Sequence, residues 1–215
     1  DIYMQNTPQI TTANAILTLQ NEKGKTTKQD LRITVYEWQN KEKIVYSKEI
    51  KGVSLNKGMN ELKIPISAPE AKLWSVDDPN LYVCEVELSE GKNWVDKDSR
   101  RFGFRWFEAS GIGEDAVFRL NGKRIMLRSA ISWSFWPVNG IFPSEELAER
   151  QIRIAKELGL NMLNFHRFIG NTDVMNYADE LGLLYFEEPG GFRLDVRQPF
   201  MNAVLHEKVI RMVKR

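Results

Sequence analysis

Residues 144–188 read SEELAERQIRIAKELGLNMLNFHRFIGNTDVMNYADELGLLYFEE and decide the fold of the second half of the chain. Ser144 is a favourable helix N-cap, and the two glutamates after it suit the first turn of a helix. The helix face that we expect to be buried consists of Ala148, Ile152, Ala155 and Leu158. Short apolar runs at 161–165 and 183–186 are typical of strands, and the second run predicts a strand covered on both faces. Helices that alternate with apolar strands indicate a parallel sheet or a (β/α)-barrel.

The same pattern continues beyond this stretch. A loop with Gly190 and Gly191 follows, and Pro199 is placed to begin one more helix. The apolar face predicted for that helix consists of Met201, Leu205, Val209 and Met212. Two or three β/α units do not close a parallel barrel, which has eight in its complete form. We therefore expect the chain to be a piece of a larger protein, with part of that protein's chemistry beyond Arg215.

The first half of the chain shows the period of two that is typical of half-buried strands. Apolar and polar residues alternate at 31–36 and 82–88, and similar runs lie at 15–19 and 62–66. Turn signals separate these runs at 21–24, Gly52, 56–58, 77–80 and 90–91. Several short strands at this spacing predict an immunoglobulin-like sandwich.

The change of period divides the chain into two predicted domains. Cys84 is the only cysteine, so no intrachain disulfide can bridge the sandwich. A hairpin is predicted around the turn Asn121-Gly122, soon after the change of period. The predicted fold class is an all-β immunoglobulin-like sandwich over residues 1–107, followed by an incomplete α/β segment of the TIM-barrel type over residues 108–215.

Composition and charge exclude several classes of function. The net charge of +1 argues against a nucleic-acid surface and against a polybasic membrane patch. The apolar runs are far too short to span a bilayer, so no membrane partner is expected. With two histidines and one cysteine, the chain is not expected to build a structural zinc site. The sequence predicts neither a metal nor a cofactor.

Five phrases, in this order, resemble glycoside hydrolase family 2. They are LWSVDDPNLY at 73–82, RFGFR at 101–105, FRLNGKRIMLR at 118–128, KELGLN at 156–161 and ADELGLLYFEE at 178–188. The resemblance implies a β-galactosidase-, β-glucuronidase- or β-mannosidase-like parent that hydrolyses terminal β-linked sugars with retention of configuration. Such parents carry a jelly roll, an immunoglobulin-like domain and a TIM barrel. The resemblance therefore covers the immunoglobulin-like domain and the first part of the barrel.

The resemblance also implies what the chain lacks. The acid/base glutamate and the nucleophile of the family lie beyond the position of Arg215, so no catalytic residue is assigned here and we expect the chain itself to be inactive. The partner of the parent is a carbohydrate, and the open barrel edge predicts self-association of the chain. The alternatives are a non-catalytic carbohydrate- or protein-binding module and a scaffold. Localisation stays open, and a periplasmic or secreted parent is compatible with the resemblance.

Candidate substrate-binding residues follow the predicted strands. Asn164 stands where the family has an arginine, and His166 lies one residue from the family histidine. Each is either a sugar ligand or a structural residue, and Arg167 either binds substrate or pairs with a neighbouring acid. Glu187 and Glu188 are adjacent on a strand and should point to opposite faces, so they are not expected to form a catalytic pair. Glu188 either lines the pocket or is structural, and Glu187 is assigned a structural role.

Tryptophans complete the set of candidates. Trp133 replaces a family histidine after the first barrel strand, and its ring could stack on the C–H face of a sugar. The alternative for Trp133 and Phe135 is a packing role between the barrel and the sandwich. Trp74 and Trp94 are assigned to the core of the sandwich.

Overall fold

The structure, a computed structural model, describes residues 1–91, 93–188 and, further on, residues 203, 204, 206, 207 and 210. The chain forms two compact units, Asp1–Arg124 and Ile125–Arg215. These units divide later than the boundary that the sequence suggested after residue 107. No helix among the described residues is both long enough and apolar enough to cross a bilayer.

The first unit is built from strands that pair in an antiparallel manner. Seven of them form the sandwich, and they are β1 (Ile2–Asn6), β2 (Thr12–Asn21), β3 (Thr27–Glu37), β4 (Asn40–Leu55), β5 (Gly58–Ser67), β6 (Tyr82–Glu90) and β7 (Asn93–Phe102). One sheet has the order β1-β2-β5 and the other the order β4-β3-β6-β7. The two sheets form a β-sandwich, as the alternating sequence predicted.

Alternate residues of the two sheets form one apolar core. Ile33 lies opposite Val86 and Val35 lies opposite Cys84, and all four side chains are buried. Burial raises the pKa of the Cys84 thiol to about 12, so this cysteine stays protonated. The thiol therefore belongs to the packing of the sandwich.

Two predictions for the sandwich are wrong. Gly52 does not end a strand but lies inside β4, where its φ of 65° accompanies a shift of register between Gln29 and Leu31. This is the geometry of a β-bulge, for which glycine is suited. Trp74 is buried as predicted, but Trp94 is partly exposed on β7, and the Arg32 guanidinium lies 4.1 Å from its ring centre.

A small sheet completes the first unit. Its strands are β8 (Phe107–Ser110), β9 (Val117–Leu120) and β10 (Lys123–Ile125), in the order β10-β9-β8. The predicted Asn121-Gly122 turn joins β9 and β10. The side chain of Asn121 accepts a hydrogen bond from the Trp106 N–H at 2.9 Å and donates one to the Trp74 carbonyl at 2.9 Å. Asn121 therefore ties the turn between β9 and β10 to the segments at Trp106 and at Trp74.

Up to Glu188, the second unit contains a parallel sheet and two helices. The elements are β11 (Ser129–Ser132), α1 (Glu145–Glu157), β12 (Met162–Phe165), α2 (Thr172–Leu181) and β13 (Leu184–Glu187). The strands are parallel in the order β11-β12-β13. Ser144 caps α1 by accepting from the Leu147 N–H, Asn171 caps α2, and Gly182 ends α2 in the left-handed conformation.

The two faces of this sheet differ in their covering. Leu163 and Phe165 of β12 are buried in a cluster with Ala148 and Ile152 of α1 and with apolar residues of α2. On the opposite face, Ile131, Asn164 and Phe186 lie side by side in register. Ile131 is 60% exposed and Phe186 is 53% exposed. We call the residues Ile131, Asn164 and Phe186 the open row.

The open row corrects the expectation that the run 183–186 is covered on both faces, because Phe186 is exposed. The buried stripe predicted for the first helix is also wrong at its last member. Leu158 is 72% exposed, since α1 ends at Glu157 and the chain turns away at Gly159 with a φ of 76°. The helix predicted from Pro199, its apolar face and the loop at Gly190 and Gly191 lie outside the described residues, apart from the few single positions named above.

Candidate functional site

All five candidate residues come together where the three parallel strands end. Trp133 follows β11, His166 and Arg167 follow β12, and Glu188 follows β13. Asn164 lies in β12 on the open row. The carboxyl ends of parallel strands in an α/β sheet are the usual location of binding sites, because loops from neighbouring strands meet there. We call Trp133, Asn164, His166, Arg167 and Glu188 the strand-end cluster.

Glu188 is at the centre of the cluster. One of its carboxylate oxygens lies 3.2 Å from Nδ1 of His166 and accepts a hydrogen bond of 3.1 Å from the Arg167 backbone N–H. The side chain of Asn164 lies near enough to the same carboxylate to lower its pKa. The Arg167 N–H, followed by His166 and Asn164, lowers the pKa of Glu188, although partial burial acts in the opposite direction. Glu188 is therefore a carboxylate at neutral pH and carries no proton to donate.

The turn after β12 is held by both adjacent glutamates. Arg167 has a φ of 61°, an uncommon value for a residue with a side chain. Glu188 binds the Arg167 N–H and donates its own N–H to the Phe168 carbonyl at 3.4 Å. Glu187 accepts a hydrogen bond of 3.0 Å from the Gly170 N–H. Burial raises the pKa of Glu187, and the Gly170 hydrogen bond offsets part of that effect.

The two glutamates therefore act on different parts of one turn. Glu187 continues the face of the sheet that packs on the helices, and Glu188 continues the face of the open row. Each carboxylate is already engaged by backbone N–H groups of the turn. Such a pair stabilises a loop, and it does not present two carboxyl groups to one glycosidic bond.

Trp133 supplies the aromatic surface of the cluster. Its ring lies edge-to-face with the His166 ring, with 4.7 Å between centroids and 83° between planes. The Arg167 guanidinium carbon lies 5.9 Å from the centre of the Trp133 ring, while the contact of Arg167 with Glu188 uses its backbone N–H. Trp133 is 61% exposed, so much of the indole can meet a ligand. Phe135, for which packing was the favoured alternative, is also exposed.

The cluster combines the groups that carbohydrate recognition needs. An exposed indole can pack on sugar C–H groups, and the imidazole, amide and carboxylate can exchange hydrogen bonds with hydroxyls. Oδ1 of Asn164 is buried and has no partner among the described residues. No group of three or more His, Cys, Asp or Glu side chains in the described part of the chain is placed to hold a metal ion.

Two cavities lie away from the strand-end cluster. Cavities of about 660 Å³ and 300 Å³ open on the first unit, and none of the residues of the strand-end cluster lines them. Their walls mix side chains of the sandwich with turn residues, without a comparable convergence of polar groups around an exposed ring. Chemistry, rather than volume, therefore identifies the site in the second unit.

Sequence reasoning missed three residues beside the cluster. Gln151 of α1 donates to Oγ of Ser132 at 2.6 Å, and the Ser134 N–H donates to the same oxygen at 3.2 Å. Gln151 sits next to the buried stripe of α1, where a polar residue is unusual for a helix that packs on a sheet. A glutamine at that position was the one signal in the sequence that could have identified Gln151. Ser132 and Ser134 carry no signal of this kind.

Comparisons of this chain with a family model and with individual proteins agree on one family. Residues 1–105 match the family described as glycosyl hydrolases family 2. A putative beta-glucuronidase of Formosa agariphila is 34% identical over 117 residues, which are 54% of this chain and 14% of that protein. A beta-galactosidase of Thermoanaerobacterium thermosulfurigenes is 34% identical over 125 residues, which are 58% of this chain and 17% of that protein. The chain thus spans only a small part of the length of these relatives.

A solved structure extends the similarity beyond the sandwich. The crystal structure of Parabacteroides merdae beta-glucuronidase matches 99% of this chain with a TM-score of 0.72 and 26% identity, and the match covers 26% of that protein. The residues outside 1–105 therefore also have a counterpart in the solved enzyme.

Proposed function

The chain belongs to glycosyl hydrolases family 2, and from that premise we propose that it is part of a retaining β-glycosidase that hydrolyses terminal β-linked sugars. Relatives named beta-galactosidase and beta-glucuronidase support a β-galactosidase-like activity for the parent protein. In this proposal residues 1–107 are its immunoglobulin-like domain and residues 108–215 are the first part of its TIM barrel. The parallel order β11-β12-β13, with helices between the strands, supports the assignment to a barrel.

The observation that carries the proposal is the strand-end cluster. An exposed indole, an imidazole, an amide and an ionised carboxylate lie together at the carboxyl ends of parallel strands, the working face of such barrels. In the proposed role, Trp133 packs on the sugar ring, and Asn164, His166 and Glu188 bind or orient its hydroxyls. Arg167 binds a polar group of the substrate beside the indole.

Cleavage of the glycosidic bond is assigned to residues that this chain does not supply. Retention requires two carboxyl groups about 5 Å apart, one as acid/base and one as nucleophile. Glu187 and Glu188 hold the turn after β12, and the lowered pKa of Glu188 leaves it without the proton that a general acid must carry at neutral pH. We therefore place both catalytic glutamates of the parent beyond Arg215 and assign sugar binding to the strand-end cluster.

The test separates binding from turnover in the 215-residue chain. Calorimetric titration with methyl β-galactoside, methyl β-glucuronide and methyl β-mannoside should show binding of at least one of them. Trp133→Ala should abolish that binding, whereas Trp94→Ala, which removes a partly exposed indole of the sandwich, should preserve it. Equal losses in both variants, or no binding by the unmodified chain, would contradict the proposed site.

Turnover is measured with the corresponding nitrophenyl β-glycosides. We expect release of nitrophenol no faster than in a mock preparation. Turnover clearly above that background would contradict the placement of the catalytic glutamates. Turnover lost in Glu188→Gln but kept in Glu187→Gln would instead assign Glu188 to the chemistry.

We also propose that the chain self-associates through the open edge of its parallel sheet. Phe186 and Ile131 present apolar surface there, and β11 and β13 are the edge strands of the described sheet. Sedimentation velocity should show species larger than the monomer, and Phe186→Ser should reduce them. A monomer at all accessible concentrations would contradict this proposal.

A further inference from the structure

Ser132 connects three segments of the second unit. Its Oγ accepts a hydrogen bond of 2.6 Å from Nε2 of Gln151 on α1 and one of 3.2 Å from the Ser134 N–H. Its carbonyl accepts a hydrogen bond of 3.0 Å from the backbone N–H of His166. Trp133 lies between Ser132 and Ser134 in sequence, so the backbone on both sides of this tryptophan is fixed by the same serine.

The residue after Trp133 has an unusual conformation. Ser134 has a φ of 48°, in the left-handed region that residues with a side chain rarely adopt, and its side chain is buried. Such a conformation persists only where the surroundings enforce it. The hydrogen bond from the Ser134 N–H to Ser132 is the described contact that closes this turn and directs the chain as it leaves Trp133.

Gln151 anchors the serine from the helix side. Gln151 and Ser132 both lie on the packed side of the sheet, where α1 covers it, whereas the Trp133 ring is exposed. Oε1 of Gln151 and Oγ of Ser134 are both buried and have no partner among the described residues. Both residues bind the same Ser132 oxygen, so this hydroxyl joins α1 to the turn after Trp133.

We infer that Ser132 and Gln151 are positioning residues that hold the Trp133 ring against the His166 ring. Gln151 fixes the hydroxyl of Ser132 from α1. That hydroxyl closes the strained turn after Trp133, and the Ser132 carbonyl fixes the backbone of His166. The use of the ring pair for sugar binding rests on the proposed function, but the positioning itself does not.

The test follows the two rings in the 215-residue chain by NMR. The indole N–H of Trp133 is identified by its loss in Trp133→Phe, and His166 is distinguished from the one other histidine by substitution of His206. Ser132→Ala and Gln151→Leu should each shift the Trp133 indole and His166 ring resonances. Ser132→Thr, which keeps the hydroxyl, should restore the positions of the unmodified chain.

Glu149→Gln is the matched control, since Glu149 lies on the same helix and pairs with Arg153 instead of Ser132. Unchanged ring resonances in both Ser132→Ala and Gln151→Leu would overturn the inference. So would shifts in Glu149→Gln as large as those in Gln151→Leu, or a failure of Ser132→Thr to restore the resonances. Should Ser132→Ala not fold, Gln151→Leu and Ser132→Thr decide the outcome.

Glycoside titration of the same samples separates this inference from the proposed function. Ring shifts in the variants, with no binding of any glycoside by the unmodified chain, would overturn the proposed function and leave the positioning role supported. Binding by the unmodified chain, with rings that do not move in the variants, would overturn the positioning role alone.

Discussion

The sandwich and the parallel sheet bury their apolar side chains in different ways. In the sandwich, the inward residues of both sheets pack on one another, and Ile33, Val35 and Cys84 are fully buried. In the second unit only one face of the sheet is packed, and the open row leaves Ile131 and Phe186 exposed. The sandwich uses its side chains for stability, while the parallel sheet keeps one face and its strand ends accessible.

The same contrast applies to charged groups. Glu85 of β6 is largely buried and pairs with two lysines, one of them Lys97 at 2.7 Å, so salt bridges neutralise its charge. Glu188 instead accepts a hydrogen bond from a backbone N–H and lies beside an imidazole and an amide, in a cluster with an exposed indole. Polar groups that converge in this way are typical of a site rather than of an ion pair between strands. The comparison therefore predicts that function resides in the second unit.

The largest effect tests the contrast in burial directly. Ile33→Ala in the sandwich and Ile131→Ala in the open row remove the same atoms from central and edge strands. We expect Ile33→Ala to lower the free energy of unfolding of its unit by about 2–5 kcal/mol. Ile131→Ala should change that of the second unit by no more than about 0.5 kcal/mol at low protein concentration. Hydrogen exchange during denaturant unfolding reports on each unit separately.

Similar losses in these two variants would show that the open row is packed after all. The contrast between the faces of the parallel sheet would then be wrong.

The next effect concerns the turn that carries the site. A Cβ at Gly170 would lie 2.5 Å from Cε2 of Phe165, and Phe165 is fully buried and unable to yield. Gly170→Ala should therefore destabilise the second unit by about 1–3 kcal/mol through overpacking. Gly24→Ala in the sandwich is the control, because nothing lies within 4 Å of the added Cβ. Equal stability of the two variants in chemical denaturation would contradict the tight packing of this turn.

The two adjacent glutamates should show opposite pH dependence. The folded state lowers the pKa of Glu188, so its contribution to stability is present above its unfolded pKa and is lost as the pH falls through its folded pKa. The folded state raises the pKa of Glu187, so its contribution increases as the pH falls through its folded pKa. Unfolding of the second unit, measured between pH 3 and pH 7, reports both effects.

The variants separate the two residues. In Glu188→Gln only Glu187 still contributes. The second unit should then become less stable as the pH rises above the ordinary glutamate pKa of about 4.3. In Glu187→Gln the remaining contribution of Glu188 should make the second unit more stable as the pH rises from the lowered folded pKa of Glu188 to the ordinary glutamate range of about 4.3, and should be constant above it. Identical pH profiles for both variants would mean that the adjacent carboxyls do not occupy the different environments described.

The smallest effect is expected at an exposed pair. Glu149 and Arg153 lie four residues apart on α1 and form a surface ion pair. Glu149→Gln should cost about 0.3–0.5 kcal/mol, and added salt should remove the difference. Thermal unfolding at low and high salt measures this. A cost comparable to that of Gly170→Ala would show that this face of α1 is packed rather than solvated.

Much of the fold could be predicted from the sequence where the hydrophobic period was clear. The alternation in β3 and β6 and the Ser144 cap of α1 gave strands and a helix in the right places. The edge strand β4 was missed because its outward residues, and many of its inward ones, are lysine, glutamate and other exposed side chains. The exposure of Leu158 depends on where α1 ends. The hydrophobic period of a helix alone does not show its last residue.

The sequence could predict which residues form the candidate site, but not the hydrogen bonds that connect them. The residues of the strand-end cluster followed from strand ends and from family phrases. The role of Glu188 depends on the left-handed backbone of Arg167, which residue types do not reveal. The role of Ser132 depends in the same way on the backbone of Ser134. Both turns are set by tertiary contacts.

The most direct test of the central claim maps binding at the level of single residues. The amide and side-chain resonances of the 215-residue chain are followed by NMR during titration with methyl β-glycosides. The account predicts shifts at Trp133, His166 and Arg167, with the resonances of the seven sandwich strands unchanged. Shifts confined to the sandwich, or none in either unit at saturating glycoside, would contradict it.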